Sequence, residues 1–340
     1  MPGKRLTYKD AGVDIDAGEE SVRRIRNLVA TTFTPGVLQG IGHFGAMFEL
    51  PLTSYREPVF ISSVDGVGTK LKIAIMMNKH DTIGEDLVNH CVNDIFTTGA
   101  QPLFFLDYLS LGKVDPKVVE QLIAGMVRGC KNANCALIGG ETAEMTDLYQ
   151  SGDYDIAGTI VGVVEKSKLI KGNRIQAGDR LIGIGSNGLH TNGYTLARKI
   201  FFEICDFTVD QFHPQLQTTI GEALLQVHRN YFPVIAPLLE KYDIHGMAHI
   251  TGGGIVGNTS RIIPAGLQIN IDWSAWKWLP IFQLLQQLGT VPLDDMKRTF
   301  NLGIGFILVV PAEIVTNLQV DLLASGEDSY QVGEVVHVSQ

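Results

Sequence analysis

Apolar positions along the chain follow two rhythms. Short runs rich in β-branched and aromatic residues, VFISSVD (59–65), PLFFLDYLSL (102–111), CALIGG (135–140) and DIAGTIVGVVEK (155–166), have the length and composition of strands. Between them apolar residues recur at helical spacing. TIGEDLVNHCVNDIFTTGA (82–100) predicts a helix that stops at Gly99, and PKVVEQLIAGMVRGCKNAN (116–134) predicts one opened by Pro116 in its first turn. After the polar stretch KSKLIKGNRIQAGDR (166–180) the pattern restarts. LIGIG (181–185), LQINIDW (267–273), IGFILVVP (304–311) and QVGEVVHV (331–338) read as strands, with helices from about Tyr194, around NYFPVIAPLLEKY and over PIFQLLQQLG. The alternation places the chain in the α/β (α+β) class, as two α/β halves.

A length of 340 residues exceeds the usual reach of one hydrophobic core, so two units are expected, 1–170 and 171–340. A formal charge of -9 argues against non-specific nucleic-acid binding. No apolar run approaches the roughly 18 residues a membrane span needs, and the N-terminus turns acidic where a signal peptide is apolar. A cytoplasmic protein is the expectation. Cys91, Cys130, Cys135 and Cys205 lie in apolar surroundings without metal-ligand spacing and read as reduced core residues. DAGVDIDAGEESVRRIR reads as a capped helix start, and the tryptophans of WSAWKWLPIF as packing.

Four loops carry candidate chemistry. In SSVDGVGTKLKIA (62–74) an apolar strand runs into Asp65, Gly66, Gly68, Thr69 and Lys70. A carboxylate, open backbone N–H groups, a hydroxyl and an ammonium in one loop suit phosphate and a hard cation; the alternative is a tight turn with solvated charges. The order is not that of a Walker loop. GIGHFGAMFEL (40–50) has Gly42 and Gly45 where backbone could approach a nucleotide, or simply turn under Phe44 and Phe48. On the helix after Asp81, the positions Asp86, His90, Asn93 and Asp94 share one side, opposite Ile83, Leu87, Cys91 and Ile95. That side is either solvated or, at Asn93-Asp94, bound to a ligand. ALIGGETAEM ends in a Gly-Gly turn and offers Glu141 and Glu144, a metal-sharing pair or acids at a helix start.

In the second half, GSNGLHTNGYTLARK sets Ser186, Asn187, His190, Thr191 and Asn192 at the carboxyl end of a strand, where open α/β sheets bind ligands. His190 is either a proton-transfer group or a loop residue holding backbone. Thr251, Gly252, Gly253 and Gly254 in AHITGGGIVGN form a candidate anion site, with His249 before them read as packing.

Taken in order, LTYKDAGVDIDAG, DGVGTKLKIA, HDTIG, CVNDI, GAQPLFFLDY, CALIGGETAEM, GDYDIAG, GLHTNGY, AHITGGG and RTFN followed by GIG make the chain similar, nearly end to end, to the phosphoribosylformylglycinamidine cyclo-ligase (aminoimidazole ribonucleotide synthetase) family. The resemblance implies ATP-dependent ring closure of formylglycinamidine ribonucleotide. ATP phosphorylates the formamide oxygen, an amidine nitrogen attacks that carbon, and phosphate leaves. It implies two domains, an N-terminal mixed sheet that closes a barrel with its copy in a homodimer near the ATP site and a C-terminal sheet flanked by helices. It also implies Mg2+ on Asp65 and Asp94 with Glu141 as a third ligand, Thr69 and Lys70 on phosphate oxygens, Gly42 and Gly45 near the nucleotide, and Asn93 beside them. Lys9 and Asp14 fall in a segment that is a mobile flap in that family. Departures from the family pattern are His43 in place of Gly, Thr146-Asp147 in place of Pro-Gly, Gly257-Asn258 in place of Glu-Asn, and Leu302 in place of Cys.

Overall fold

The computed structural model describes residues 6–338. Strands β1 (Pro58–Gly66), β2 (Gln101–Leu111), β3 (Ala136–Glu144) and β4 (Tyr154–Glu165) form a mixed sheet in the order β1-β4-β2-β3, with only β2 and β3 parallel. A dozen or more residues must link parallel neighbours, and here the crossover is the helix Pro116–Asn132. Helices α1 (Ile15–Ala30), α2 (Leu71–Met77), α3 (Ile83–Phe96) and α4 (Pro116–Asn132) accompany this sheet. Asp14 caps α1 through the Ala17 N–H, and Asp115 caps α4 through Lys117 with Pro116 in the first turn. Gly84 and Gly125 allow α3 and α4 to touch backbone to backbone, since a Cβ at Gly84 would overlap the Leu122 carbonyl.

In the second half, β5 (Arg180–Gly185) is central to an antiparallel sheet. Past a two-stranded ribbon, β6 (Phe212–His213) with β7 (Thr218–Thr219), come β8 (Gly246–His249), β9 (Leu267–Ile271), β10 (Ile304–Val310) and β11 (Ser329–His337), giving the order β8-β10-β5-β11-β9. β10 is buried along its whole length, which explains its unbroken apolar sequence. Short helices α5 (Tyr194–Arg198), α6 (Ile220–Leu224), α7 (Phe232–Ile235) and α8 (Gly254–Thr259) precede the longer α9 (Pro280–Gly289), α10 (Leu293–Thr299) and α11 (Val315–Ala324).

Two expectations change. The apolar run at 135–140 does not end in a Gly-Gly turn: β3 continues through Gly139 and Gly140 to Glu144, because Leu106 to Leu111 of β2 pair with it residue for residue. The halves also share core. One apolar cluster joins α3 and α4 to Leu189, Tyr194, Phe282 and Phe300. All four cysteines are free thiols, three of them buried. Among the described residues no helix is long and apolar enough to cross a membrane.

Candidate active site

Asp65 stands near the carboxyl end of β1 and Asp94 in the last turn of α3, and the fold brings their carboxylates together. Ser63 Oγ lies 3.2 Å from Asp65 Oδ2 and 3.4 Å from Asp94 Oδ2. Two half-buried carboxylates this close cannot both ionise freely. Burial, with the neighbouring Asp94, pushes Asp65 up to about 7. Burial also works to raise Asp94, but the hydrogen bond and charge of His249 outweigh it and hold Asp94 low. The pair therefore keeps one shared proton in mild acid and gives it up only around neutral pH. A divalent cation removes that conflict, and a carboxylate pair is the oxygen donor set that Mg2+ prefers.

Glu141 does not join them. Across the sheet, Asp65 faces Gly158, Gly158 faces Asp107, and Asp107 faces Gly140. Three strand spacings separate β1 from β3, roughly 14 Å. Glu141 instead lines a cleft of about 960 Å³ between α1, the 40–46 loop, the middle of β2 and β3. Gly42 and Gly45 line the same cleft, with Arg23, Arg26 and Asp107. Gly42 has φ +103, a conformation open to glycine, and a Cβ there would sit 3.8 Å from the Arg26 guanidinium. His43 is exposed at the mouth of the cleft. Asp107, which the sequence did not single out, is raised to about 7 by burial.

Lys70 departs most from its expected role. Its ammonium has no exposed surface, and it donates to Asp86 Oδ1 at 2.7 Å and to the Gln226 carbonyl at 2.6 Å. Gly68, at φ +68, starts the tight turn that aims this side chain inward rather than at solvent. Thr69 is on the outside, 3.1 Å from Thr195 Oγ1. Asn93 is likewise committed elsewhere: its amide donates to the Arg229 carbonyl and accepts from the Tyr231 N–H. Asn89 donates to the His228 carbonyl, and Asp86 accepts the His228 N–H. The polar side of α3 is thus neither solvated nor, at Asp86 and Asn93, a ligand surface. It is the bed on which the segment 226–231 lies.

The two loops of the second half converge. A Cβ on Gly252 would lie 3.2 Å from Asn192 Oδ1. Thr69, Thr191, Asn192, Lys199 and Thr299 line a hollow of about 440 Å³ beside them. Asn258 shapes the glycine loop by donating to the carbonyls of Thr251, Gly252 and Gly254. The helix after it, α8, is only Gly254–Thr259, so its dipole is small. Ser186 is buried and bound to Asn301 and to the Gly188 carbonyl, while Asn187 is exposed with its amide on the Val227 carbonyl.

His190 does not have the accessible, ordinary imidazole that proton transfer would favour. It is buried at φ +60, with Nε2 3.1 Å from Asn187 Oδ1 and its ring stacked on His228 at 4.1 Å between centroids. Burial, then the charge near His249, drives its pKa well below the usual histidine value. Its ring is held in place by Asn187 and His228. His249, read from sequence as packing, instead places Nδ1 2.7 Å from Asp94 Oδ1. His228 had no signal in the sequence; it closes the cluster through His249 and Thr191.

Residues 52–164 match the N-terminal domain, and residues 176–340 the C-terminal domain, of the AIR synthase related proteins. The phosphoribosylformylglycinamidine cyclo-ligase of Desulfitobacterium hafniense (strain DSM 10664 / DCB-2) is 52% identical over 332 residues, 97% of this chain and 96% of that one. That of Trichlorobacter lovleyi is 48% identical over 340 residues, 100% of this chain and 97% of that one. Among solved structures, thiamine-monophosphate kinase from Stenotrophomonas maltophilia K279a superposes with a TM-score of 0.67 at 17% identity, covering 94% of each chain. Hydrogenase maturation protein HypE in complex with ATP does so with a TM-score of 0.60 at 17% identity, covering 94% of this chain and 87% of that one. These two likenesses describe the fold alone. Sequence identity near one half over almost the whole length is a different order of relation, and on it the chain belongs to the phosphoribosylformylglycinamidine cyclo-ligase family.

Proposed function

We propose that this protein closes the imidazole ring of formylglycinamidine ribonucleotide in purine biosynthesis, forming aminoimidazole ribonucleotide, ADP and phosphate from the substrate and ATP. The observation that carries the reading is the Asp65–Asp94 pair, poised between the DGVGTK loop of the first half and the glycine and histidine loops of the second. Phosphoryl transfer depends mainly on positioning and charge neutralisation, and two carboxylates that cannot both ionise are a place for Mg2+. When bound there, Mg2+ would offset charge on the phosphates. An amide oxygen leaves poorly; once it carries the γ-phosphoryl group, the amidine nitrogen displaces it as phosphate.

The chain's own residues divide this work. Residues 1–170 take ATP, with the cleft beside Gly42 and Gly45 sized for a nucleotide and Arg23 and Arg26 at its wall. Residues 171–340 take the ribonucleotide, in the hollow where Thr69, Asn192 and Thr299 meet near Gly252. Thr69 keeps its phosphate role, whereas Lys70 and Asn93 act by holding the segment 226–231 in place. A second copy of the chain covers the outer face of the first sheet, where Phe60 and Val64 on β1 and Tyr108 on β2 are exposed. The setting is the cytoplasm.

The test is phosphate release from ATP and Mg2+ with and without formylglycinamidine ribonucleotide, with aminoimidazole measured alongside. Equal amounts of both, appearing only with substrate, support the reading. Phosphoryl transfer to some other acceptor, or none, overturns it.

A further inference from the structure

Asn93 and Asp94 are neighbours in the last turn of α3, yet their side chains serve different ends. Asp94 belongs to the carboxylate pair, whereas the buried Asn93 amide is spent entirely on backbone of the second half. Its Nδ2 donates to the Arg229 carbonyl at 2.7 Å, and its Oδ1 accepts the Tyr231 N–H at 3.0 Å. One amide thus grips the chain on both sides of Asn230, so that residues 229 and 231 are fixed to the helix that carries Asp94.

The two side chains held in this way converge on a single atom. Arg229 Nη1 donates to the Gly185 carbonyl at 3.0 Å, and the Tyr231 hydroxyl donates to the same oxygen at 2.9 Å. The guanidinium also lies 5.7 Å from the centre of the Tyr231 ring and gives its other nitrogen to the Glu327 carboxylate, which locks both groups. Gly305 on β10 makes room for them, since a Cβ there would overlap the Tyr231 hydroxyl. One donor is enough to satisfy a buried carbonyl; two occupy both lone pairs and fix its direction. Gly185 ends β5 and leads straight into the loop 186–192. Farther along, the Asn187 amide donates to the Val227 carbonyl and the Tyr194 hydroxyl to that of Leu224. The loop therefore hangs on the segment 224–231, and that segment hangs on α3.

We propose that Arg229 and Tyr231 are positioning residues for ring closure: anchored by Asn93, they set through the Gly185 carbonyl where the loop 186–192 stands relative to Asp94. A reacting atom displaced by about 1 Å costs rate on the order of 100-fold, so a link from the carboxylate's own helix to the ribonucleotide loop bears directly on the reaction. None of these residues lines the cleft beside Gly42 and Gly45, so ATP binding is insulated from them. The proposal rests on the reading that this loop takes the ribonucleotide.

The experiment is a double-mutant cycle in the full chain, read as kcat/KM for formylglycinamidine ribonucleotide and, separately, as KM for ATP. Tyr231→Phe should lower the first about fivefold, for one lost hydrogen bond, and leave the second within about twofold. Asn93→Ala should lower the first about 30-fold, with the cation affinity of the Asp65–Asp94 pair within about twofold of wild type. In that background Tyr231→Phe should cost less than about twofold more, because the tyrosine has already lost its anchor. A further fivefold loss there, or equal losses toward ATP and ribonucleotide, overturns the proposal. If Asn93→Ala does not fold, Arg229→Lys takes its place. Sharing one carbonyl, the lysine and phenylalanine changes should together cost at least about threefold more than the product of their separate losses, and a simple product overturns the proposal. A wild-type chain that forms no aminoimidazole overturns the ring-closure reading and the proposal with it, which separates that failure from a failure of the positioning residues alone.

Discussion

The DGVGTK loop and α3 meet twice, with opposite results. Lys70 and Asp86 are an ion pair with no exposed surface, each also bound to backbone of the segment 226–231. Asp65 and Asp94 are like charges, half-buried, sharing one serine hydroxyl. The first contact is neutral and closed, so it holds two halves of the chain together and offers nothing to a ligand. In the second, like charges are left in conflict, which the fold tolerates because an ion or a proton relieves it. Charge in a glycine-rich loop does not by itself mark a binding group; whether a partner within the fold already neutralises it decides.

Breaking the open pair should give the largest effect. Asp94→Asn is expected to lower phosphate release about 100-fold or more, since it removes charge where phosphoryl transfer needs it, with circular dichroism unchanged. A variant of near-normal rate would remove Asp94 from the site. Breaking the closed pair should act on stability instead. Asp86→Asn leaves the Lys70 ammonium buried without its anion, a loss of about 3–5 kcal/mol in denaturant unfolding. Lys70→Met with Asp86→Leu should recover most of it, short by about 1–3 kcal/mol for the His228 N–H that then lacks an acceptor. If the double variant is no better than Asp86→Asn, the lysine charge is not what the aspartate serves.

Proton linkage distinguishes the pairs more gently. Asp65, raised to about 7, binds its proton more tightly folded than unfolded. Its contribution to stability is therefore complete below the unfolded value near pH 3.9 and is lost as pH rises through about 7. Asp94, held low, contributes in the opposite sense, and only below the range where Asp65 acts. The metal-free protein should lose about 1–2 kcal/mol between pH 4 and 7 relative to Asp65→Asn, the size limited by solvent screening at this half-exposed group. Parallel stability curves for the two proteins would show that the carboxylates do not share a proton.

What the sequence made legible follows from local signals. α4 carries its own cap and first-turn proline, and α9 its apolar period, so both stand where their patterns put them. The helix from about Tyr194 is only five residues long, continuing as a wider π turn over Lys199–Ile204. β3 outran its apolar run because pairing with β2, a long-range interaction, extends a strand through residues that locally favour a turn. The same limit governed the site. Asp65 and Asp94 could be named because each is a carboxylate out of place in an apolar stretch. Lys70 looked equally out of place, but its partner is 16 residues away on another element, and sequence does not show who faces whom. His249 and His228 acquire meaning only through each other, at 2.9 Å across a fold that separates them by 21 residues in sequence.

Glu141→Gln sharpens the comparison with the smallest expected effect. Register places residue 140 of β3 in the same row as Asp107, Gly158 and Asp65, so Glu141 belongs to the next row and the far edge of the sheet. At roughly 14 Å from the pair, its charge acts across more than a Debye length at physiological salt. Cation affinity of the Asp65–Asp94 pair, measured calorimetrically, should stay within about twofold of wild type in Glu141→Gln. Because Glu141 lines the cleft with Gly42 and Arg26, its loss should instead change the affinity for ATP, by several-fold at most. A tenfold fall in cation affinity would mean that the third carboxylate reaches the pair after all.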